Sequence, residues 1–227
     1  MSVPTAAAQF RDYFAQSTYS DILVKLSDGQ SFPAHRLVLA QGSQYFAKCF
    51  EGGFKEAQSN VLELHDDVDV SAVFVLISTF YGHAAYDLFA YGKEDAKRVT
   101  LAIDVGTTAA KYLCSEVYCQ VLTDFPDMLE ALQSSVADIE TLGKIVRHVY
   151  VVREETAVAF REVIVVHIAR YIAEWKAGTG FKDLLREIPD LALELVVELA
   201  QHKEASSAMR VASEGGSVAK KRRHNRG

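Results

Sequence analysis

Apolar residues come in two rhythms along this chain, and the change between them divides it. Near the start they form short dense runs. Asp21-Ile22-Leu23-Val24-Lys25-Leu26 is rich in branched aliphatics and reads as a mostly buried strand. Ser27-Asp28-Gly29-Gln30 follows, and Asp-Gly supplies the positive-φ positions of a tight hairpin. Ser31-Phe32-Pro33-Ala34 is the return strand; Pro33 has no N–H for a ladder and belongs at an edge. From His35 the rhythm turns helical. Gly42 ends a first helix, and Ser43 caps a second that carries Phe46, Cys49 and Phe50 on one face.

Later segments extend the pattern. Val61-Leu62-Glu63-Leu64 reads as a third strand, and Val70 to Gly82 as a helix. Phe125-Pro126-Asp127 punctuates the chain, and Met128, Leu129 and Leu132 open a new apolar face beyond it. Ile139, Leu142, Ile145, Val146 and Val149 continue one. Phe160, Ile164, Ile168, Tyr171, Ile172 and Trp175 define a long helix within 154–176. Gly178-Thr179-Gly180 breaks it. A short helix from Phe181 to Glu187 and a last one from Leu191 to Gln201 complete the set; Leu191, Leu195, Val196 and Leu199 are predicted to face inward.

The segment from Ser20 to Glu56 also carries a resemblance. S-D-I-x-V, F-x-A-H-R-x-V-L-A, S-x-Y-F and F-K-E, in that order and spacing, resemble the opening half of a BTB/POZ domain. Tyr81-Gly82 is similar to the family's Y-T-G, and Ala109-Ala110-Lys111-Tyr112 to its A-D-K-Y helix, with Ala110 in place of the usual Asp. Tyr81 to Val99 is longer than the usual connection, which puts the family's final strand in question. The resemblance implies an α+β fold: a small mixed sheet flanked by helices, followed by a mostly α-helical extension. The expected organisation is an N-terminal helical segment (1–17), a BTB/POZ domain (18–124), a helical extension (125–205) and a flexible basic tail (206–227). The extension is similar to the helical tail that follows many short fungal BTB domains.

Composition narrows the function. The three cysteines, Cys49, Cys114 and Cys119, lack zinc-knuckle spacing, and each is expected as a small buried hydrophobe. No apolar run reaches the roughly 18 residues of a membrane span, and MSVPTAAAQFRDYF lacks a signal-peptide pattern, so an intracellular protein is expected. Charge is uneven. The last eight residues hold five of the 24 Lys and Arg and no acid, leaving residues 1–219 with 19 basic against 30 acidic residues, net −11. That acidic body does not suit direct phosphate binding. Lys220-Lys221-Arg222-Arg223 reads as a nuclear-import signal after a Gly/Ser-containing stretch; a solubilising terminus is the plain alternative.

Residues that tempt an enzymatic reading have structural ones beside it. His35, part of the resemblance, is expected to bond nearby backbone. Among His65, Asp66, Asp67 and Asp69 the aspartates suit the N-terminus of the following helix better than a metal. His167 lacks a second His at metal-binding spacing, and Gly52-Gly53 is a turn rather than a phosphate loop. Neither catalysis nor a cofactor is expected.

The resemblance implies protein partners and self-association. Phe10, Tyr13 and Phe14 share a face of a short N-terminal helix: they cover the protein's own sheet in a monomer, or the seam of a homodimer. Asp21 and Arg36 match the charged pocket of the transcription-factor branch, and Phe54 and Glu56 the element that contacts a cullin scaffold in ligase adaptors. Asp21 as a partner of backbone amides at the strand start, Arg36 as a solvated helix residue and Phe54 as a plug between helix and sheet are the plainer roles. Three functions follow: a homodimeric co-regulator of transcription in the nucleus, with the cytoplasm as a second compartment and no DNA reader of its own; a substrate adaptor of a cullin-type ubiquitin ligase; or a stand-alone scaffold.

Overall fold

The computed structural model describes residues 6–53, 55–64, 69–84, 95–134, 139–151, 155–176, 178–201 and 203. The chain divides into two compact units, residues 1–161 and 162–227.

In the first unit β1 (Ile22–Lys25) lies between β2 (Ser31–Ala34), antiparallel to it, and β3 (Val61–Glu63), parallel to it. These are the three strands among the described residues. Ile22, Val24 and Leu26 are buried, whereas Leu23 and Lys25 face out, so β1 alternates rather than being mostly buried as predicted. The cause is one-sided packing, which needs apolar residues only at every second position. Both edges are blunted. Pro33 removes an N–H from β2, and the Ser59 hydroxyl accepts from the Val61 N–H (3.0 Å) and donates to the Val61 carbonyl (2.9 Å). The hairpin corrects a detail of the sequence reading: Gly29 takes φ +86°, but Asp28 stays at negative φ and accepts the Gln30 N–H at 2.9 Å. With Leu26 N–H bonded to Gln30 O and Gly29 N–H to Leu26 O, this is a three-residue loop with glycine in the left-handed position.

Helices α1 (Arg36–Gly42), α2 (Gln44–Phe50) and α3 (Lys55–Gln58) precede β3, and α4 (Val70–Phe80) follows it. Ser43 caps α2 as predicted, its hydroxyl accepting from the Phe46 N–H at 3.1 Å and donating to the buried Tyr112 carbonyl at 2.7 Å. Asp69 caps α4, accepting from the Ser71 and Ala72 amides. Gly42 meets the face of α4 where Phe80 sits: a Cβ there would come within 2.3 Å of the ring. The core under the sheet joins Val24, Phe32, Leu39, Phe46, Leu62, Leu76, Tyr81 and Tyr112.

Helix α5 (Asp95–Lys111) packs on α4 and on two later helices, α6 (Ser115–Ser134) and α7 (Ile139–Val151). The break predicted at Phe125-Pro126-Asp127 does not occur. Helix α6 runs through Pro126. Proline costs the helix one i to i−4 hydrogen bond. Here Pro126 is exposed while Val121, Phe125, Met128, Leu129 and Leu132 are buried, and burial of that stripe offsets the lost bond. Phe125 meets Phe160 edge-on at 5.0 Å. Gly106 lets that ring close on α5, where a Cβ would fall 2.3 Å from it.

Helix α8 (Val158–Trp175) crosses from the first unit to the second. The second unit continues with α9 (Thr179–Glu187) and α10 (189–201). Thr179 and Gly180 open α9 rather than lying in the break before it; Gly178 is its N-cap. Ile164, Ile168, Phe181, Leu184, Leu191 and Leu195 are buried. Val196 and Leu199, predicted to face inward, are 66% and 36% exposed. Leu191 and Leu195 already fill the narrow inner face, and one residue beyond Leu195 the helix has turned by about 100°.

Candidate protein-interaction site

Of the four groups of predicted site residues, two lie within the described residues. Asp21 and Arg36 meet at the start of α1. Asp21 Oδ1 accepts the Arg36 backbone N–H at 2.8 Å, serving the first amide of the helix. The Arg36 side chain is half-buried rather than solvated: its Nη2 donates to the Ser59 carbonyl, and its guanidinium lies 4.9 Å over the Phe50 ring. Phe54 lies outside the described residues, and of Glu56 only the backbone, in α3, is described. Lys220, Lys221, Arg222 and Arg223 lie outside them, as do His65, Asp66 and Asp67.

Phe10 and Tyr13 belong to a 3-10 stretch, Ala6–Tyr13, with Phe14 in the turn after it. All three are half-buried against the domain's own core. Phe14 meets four rings. Its ring lies 4.8 Å from Phe74, 5.4 Å from Tyr81, 5.5 Å from His83 and 6.0 Å from Phe32. Two further bonds hold this segment: Arg11 Nη2 donates to the Gly82 carbonyl at 2.6 Å, and His83 Nε2 donates to the Arg11 carbonyl at 3.3 Å.

His35 has the structural role expected of it, bonding backbone and a buried hydroxyl. Its Nε2 donates to the Thr18 carbonyl (2.9 Å) and its Nδ1 faces the Tyr81 hydroxyl (3.0 Å), which also accepts the His35 backbone N–H (3.0 Å). Burial pushes Tyr81 up to about 12, so the hydroxyl keeps its proton. His167 is buried against Tyr171 and Trp175. The cysteines divide. Cys114 is buried, its thiol pushed up to about 11 by burial, and Cys49 is half-buried; Cys119, expected inside, is exposed on α6. Its neighbours Val121 and Phe125 carry that helix's inner face.

Two features escaped sequence reasoning. His148 Nε2 lies 2.7 Å from Asp104 Oδ1, joining α7 to α5 across 44 residues of sequence. The bond to Asp104 holds the His148 imidazole above its ordinary pKa, against a smaller opposing effect of burial. The other is a groove of about 660 Å³ beside the hairpin, walled by Leu26, Phe32, Val70, Phe74, Val75 and Leu101, with Gln30, Ser31 and Ser71 as its polar lining. Phe74 is 37% exposed. Periodicity assigns Phe74 to a helix but cannot say that three separate segments leave space around it.

Among the described residues no three His, Cys, Asp or Glu side chains are grouped to hold a metal ion, and no helix is long and apolar enough to cross a membrane. The surfaces above are apolar and hydrogen-bonding. They suit the docking of polypeptide.

Comparison with known proteins fits this geometry. The BTB/POZ domain family matches residues 10–122. Zinc finger and BTB domain-containing protein 7A of Gallus gallus is 46% identical over 59 residues, 26% of this chain and 11% of that protein. Kelch-like protein 25 of Xenopus tropicalis is 33% identical over 66 residues, 29% of this chain and 11% of that protein. Kelch-like protein 21 of Rattus norvegicus is 28% identical over 141 residues, 60% of this chain and 23% of that protein. The chain thus spans less than a quarter of the length of these relatives. With the hairpin, the helix pair and the α4–α5 pair in place, the chain belongs to the BTB/POZ family through residues 10–122, and that domain is a protein-interaction module.

Proposed function

We propose that the protein is a homo-oligomerising co-regulator of transcription in the nucleus, recruited to DNA through other proteins. The observation that carries this reading is the 46% identity over 59 residues with Zinc finger and BTB domain-containing protein 7A. The net charge of −11 over residues 1–219 supports indirect association with DNA, and the basic cluster at Lys220–Arg223 supports nuclear import. In this reading residues 18–124 are the assembling domain, 125–205 a helical annex and 206–227 a tail that carries the import signal. Deleting residues 220–227 from a fluorescent fusion too large to diffuse through nuclear pores should move it to the cytoplasm; an unchanged distribution removes the import argument. Light scattering should give a dimer for the intact chain and a smaller species once residues 1–17 are removed. A monomer in both cases ends the oligomer claim.

One observation favours a second reading, a substrate adaptor of a cullin-type ubiquitin ligase. The alignment with Kelch-like protein 21 covers 141 residues, more than the matched domain segment, so that likeness runs into the helices beyond it. Phe54 and Glu56 would then contact the scaffold. In a pull-down with a cullin scaffold, the Phe54→Ala/Glu56→Ala double variant should bind about ten-fold or more weakly than wild type, as expected for loss of an aromatic anchor. Absence of binding by the wild type sinks this reading.

A further inference from the structure

We propose that the outer face of α10 is a docking site for a segment of this same chain, Lys220-Lys221-Arg222-Arg223 with the Val218-Ala219 pair before it, which folds back along the helix. The face is apolar and open. Leu193 and Val196 are each 66% exposed and Val197 is 56% exposed, whereas Leu191 and Leu195 on the opposite side are buried. At about 100° per residue, Leu193, Val196, Val197 and Ala200 fall within one arc of roughly 100°. A helix that only covered its own unit would carry polar residues there.

Charge complementarity selects the occupant. Residues 187–201 contain Glu187, Asp190, Glu194 and Glu198 and no Lys or Arg. On the same helical wheel these acids share one edge, next to Val197. A second copy of this chain would bring the same carboxylates to the face and no cation. An apolar face with one acidic edge instead fits a segment that sets cations beside apolar residues. The densest cationic run in the chain is Lys220 to Arg223, and Val218 and Ala219 precede it directly.

The dimensions agree. From Asp190 to Glu198 the acidic edge is about 12 Å long, at about 1.5 Å per residue. Four extended residues cover at most about 13–14 Å. Residues 204–219 join the end of α10 to the cluster. A coil of that length averages about 20–24 Å from end to end, and Lys203 to Asp190 is about 20 Å along the helix. A tether matched to its span gives a local concentration in the millimolar range, which sustains contacts too weak to hold a free peptide.

The edge of the contact is electrostatic, so it responds to salt. Exposed ion pairs are weak singly, and charges more than about 8–10 Å apart are largely screened at physiological ionic strength. Docking holds at low salt and loosens as salt rises. While docked, the cluster is withheld from any other acidic surface. The site rests on the chemistry of the cluster and not on its service in nuclear import, so it stands or falls separately from that reading.

The test compares amide spectra of the full chain and of its full-length Lys220→Gln/Lys221→Gln/Arg222→Gln/Arg223→Gln variant, at about 0.05 M and about 0.5 M salt. At the lower salt the Leu193, Val196 and Val197 amides should differ between the two chains, with the Val24 amide in β1 unchanged, and the difference should fade at the higher salt. No difference on α10 overturns the proposal, as does a difference that falls on another surface instead. Trypsin gives a second reading. Cleavage within 220–223 should be about five-fold or more faster in Asp190→Asn/Glu194→Gln/Glu198→Gln than in the wild type, because cutting follows the undocked fraction. Equal rates overturn the docking. Light scattering covers the remaining occupant: a mass that halves in Leu193→Ser/Val197→Ser assigns the face to a second copy and overturns the proposal, and an unchanged mass supports the docked segment.

Discussion

Phe46→Ala is expected to lower the unfolding free energy by about 3–5 kcal/mol, the usual cost of deleting a buried aromatic. The ring has no solvent exposure, stacks on Tyr112 at 5.3 Å with 20° between planes, and meets Phe80 edge-on at 6.4 Å. One side chain thus ties α2 to the ends of α4 and α5. Those three helices cannot close over the gap together, because Gly42 already sets α1 hard against Phe80 and Ser43 pins Tyr112 from the other side. A domain of this size holds only about 5–15 kcal/mol in total, so the loss is a large share. Urea unfolding should show a lower midpoint with an unchanged slope. Tyr45→Ala is the control: that ring is 39% exposed, and its removal should cost clearly less. Equal costs for the two would mean that Phe46 does not join the helices in this way.

The contrast between Phe46 and Phe74 shows which parts of this molecule a sequence carries. Phe46 sits in a capped, periodic helix, and its burial follows from local pattern alone. Ser43 and Asp69 were legible for the same reason: a cap is decided within four residues of chain. Leu23, Pro126 and Val196 were misjudged because their environment is set from a distance. Leu23 looks buried by composition, yet the sheet is covered on one face only. Pro126 looks like a stop, yet the stripe around Phe125 has a partner in Phe160. Val196 looks like one more inward valine, yet α10 has one narrow inner face. The site divides in the same way. Asp21 and Arg36 lie close in the hairpin-helix unit, and a motif places them together. His148 with Asp104, His35 with Tyr81, and the walls of the groove are contacts across tens of residues, with no periodic trace in the sequence.

Ser43→Ala is the second large effect, and it tests a polar device where Phe46 tests an apolar one. The Ser43 side chain is 2% exposed and makes two bonds at once, accepting from the Phe46 amide and donating to the Tyr112 carbonyl 69 residues away. Loss of the cap costs about 0.5–2 kcal/mol. Loss of the donor to the Tyr112 carbonyl adds about 1–3 kcal/mol, because water does not replace it in a closed core. Cys114 softens this second part: its Sγ lies 3.3 Å from the same carbonyl, and a thiol is a weak donor. A loss of about 2–4 kcal/mol is therefore expected. Calorimetric unfolding gives the total, and faster exchange of the Phe46 amide isolates the cap. Full stability together with unchanged exchange of the Phe46 amide would mean that the first turn of α2 holds without its cap.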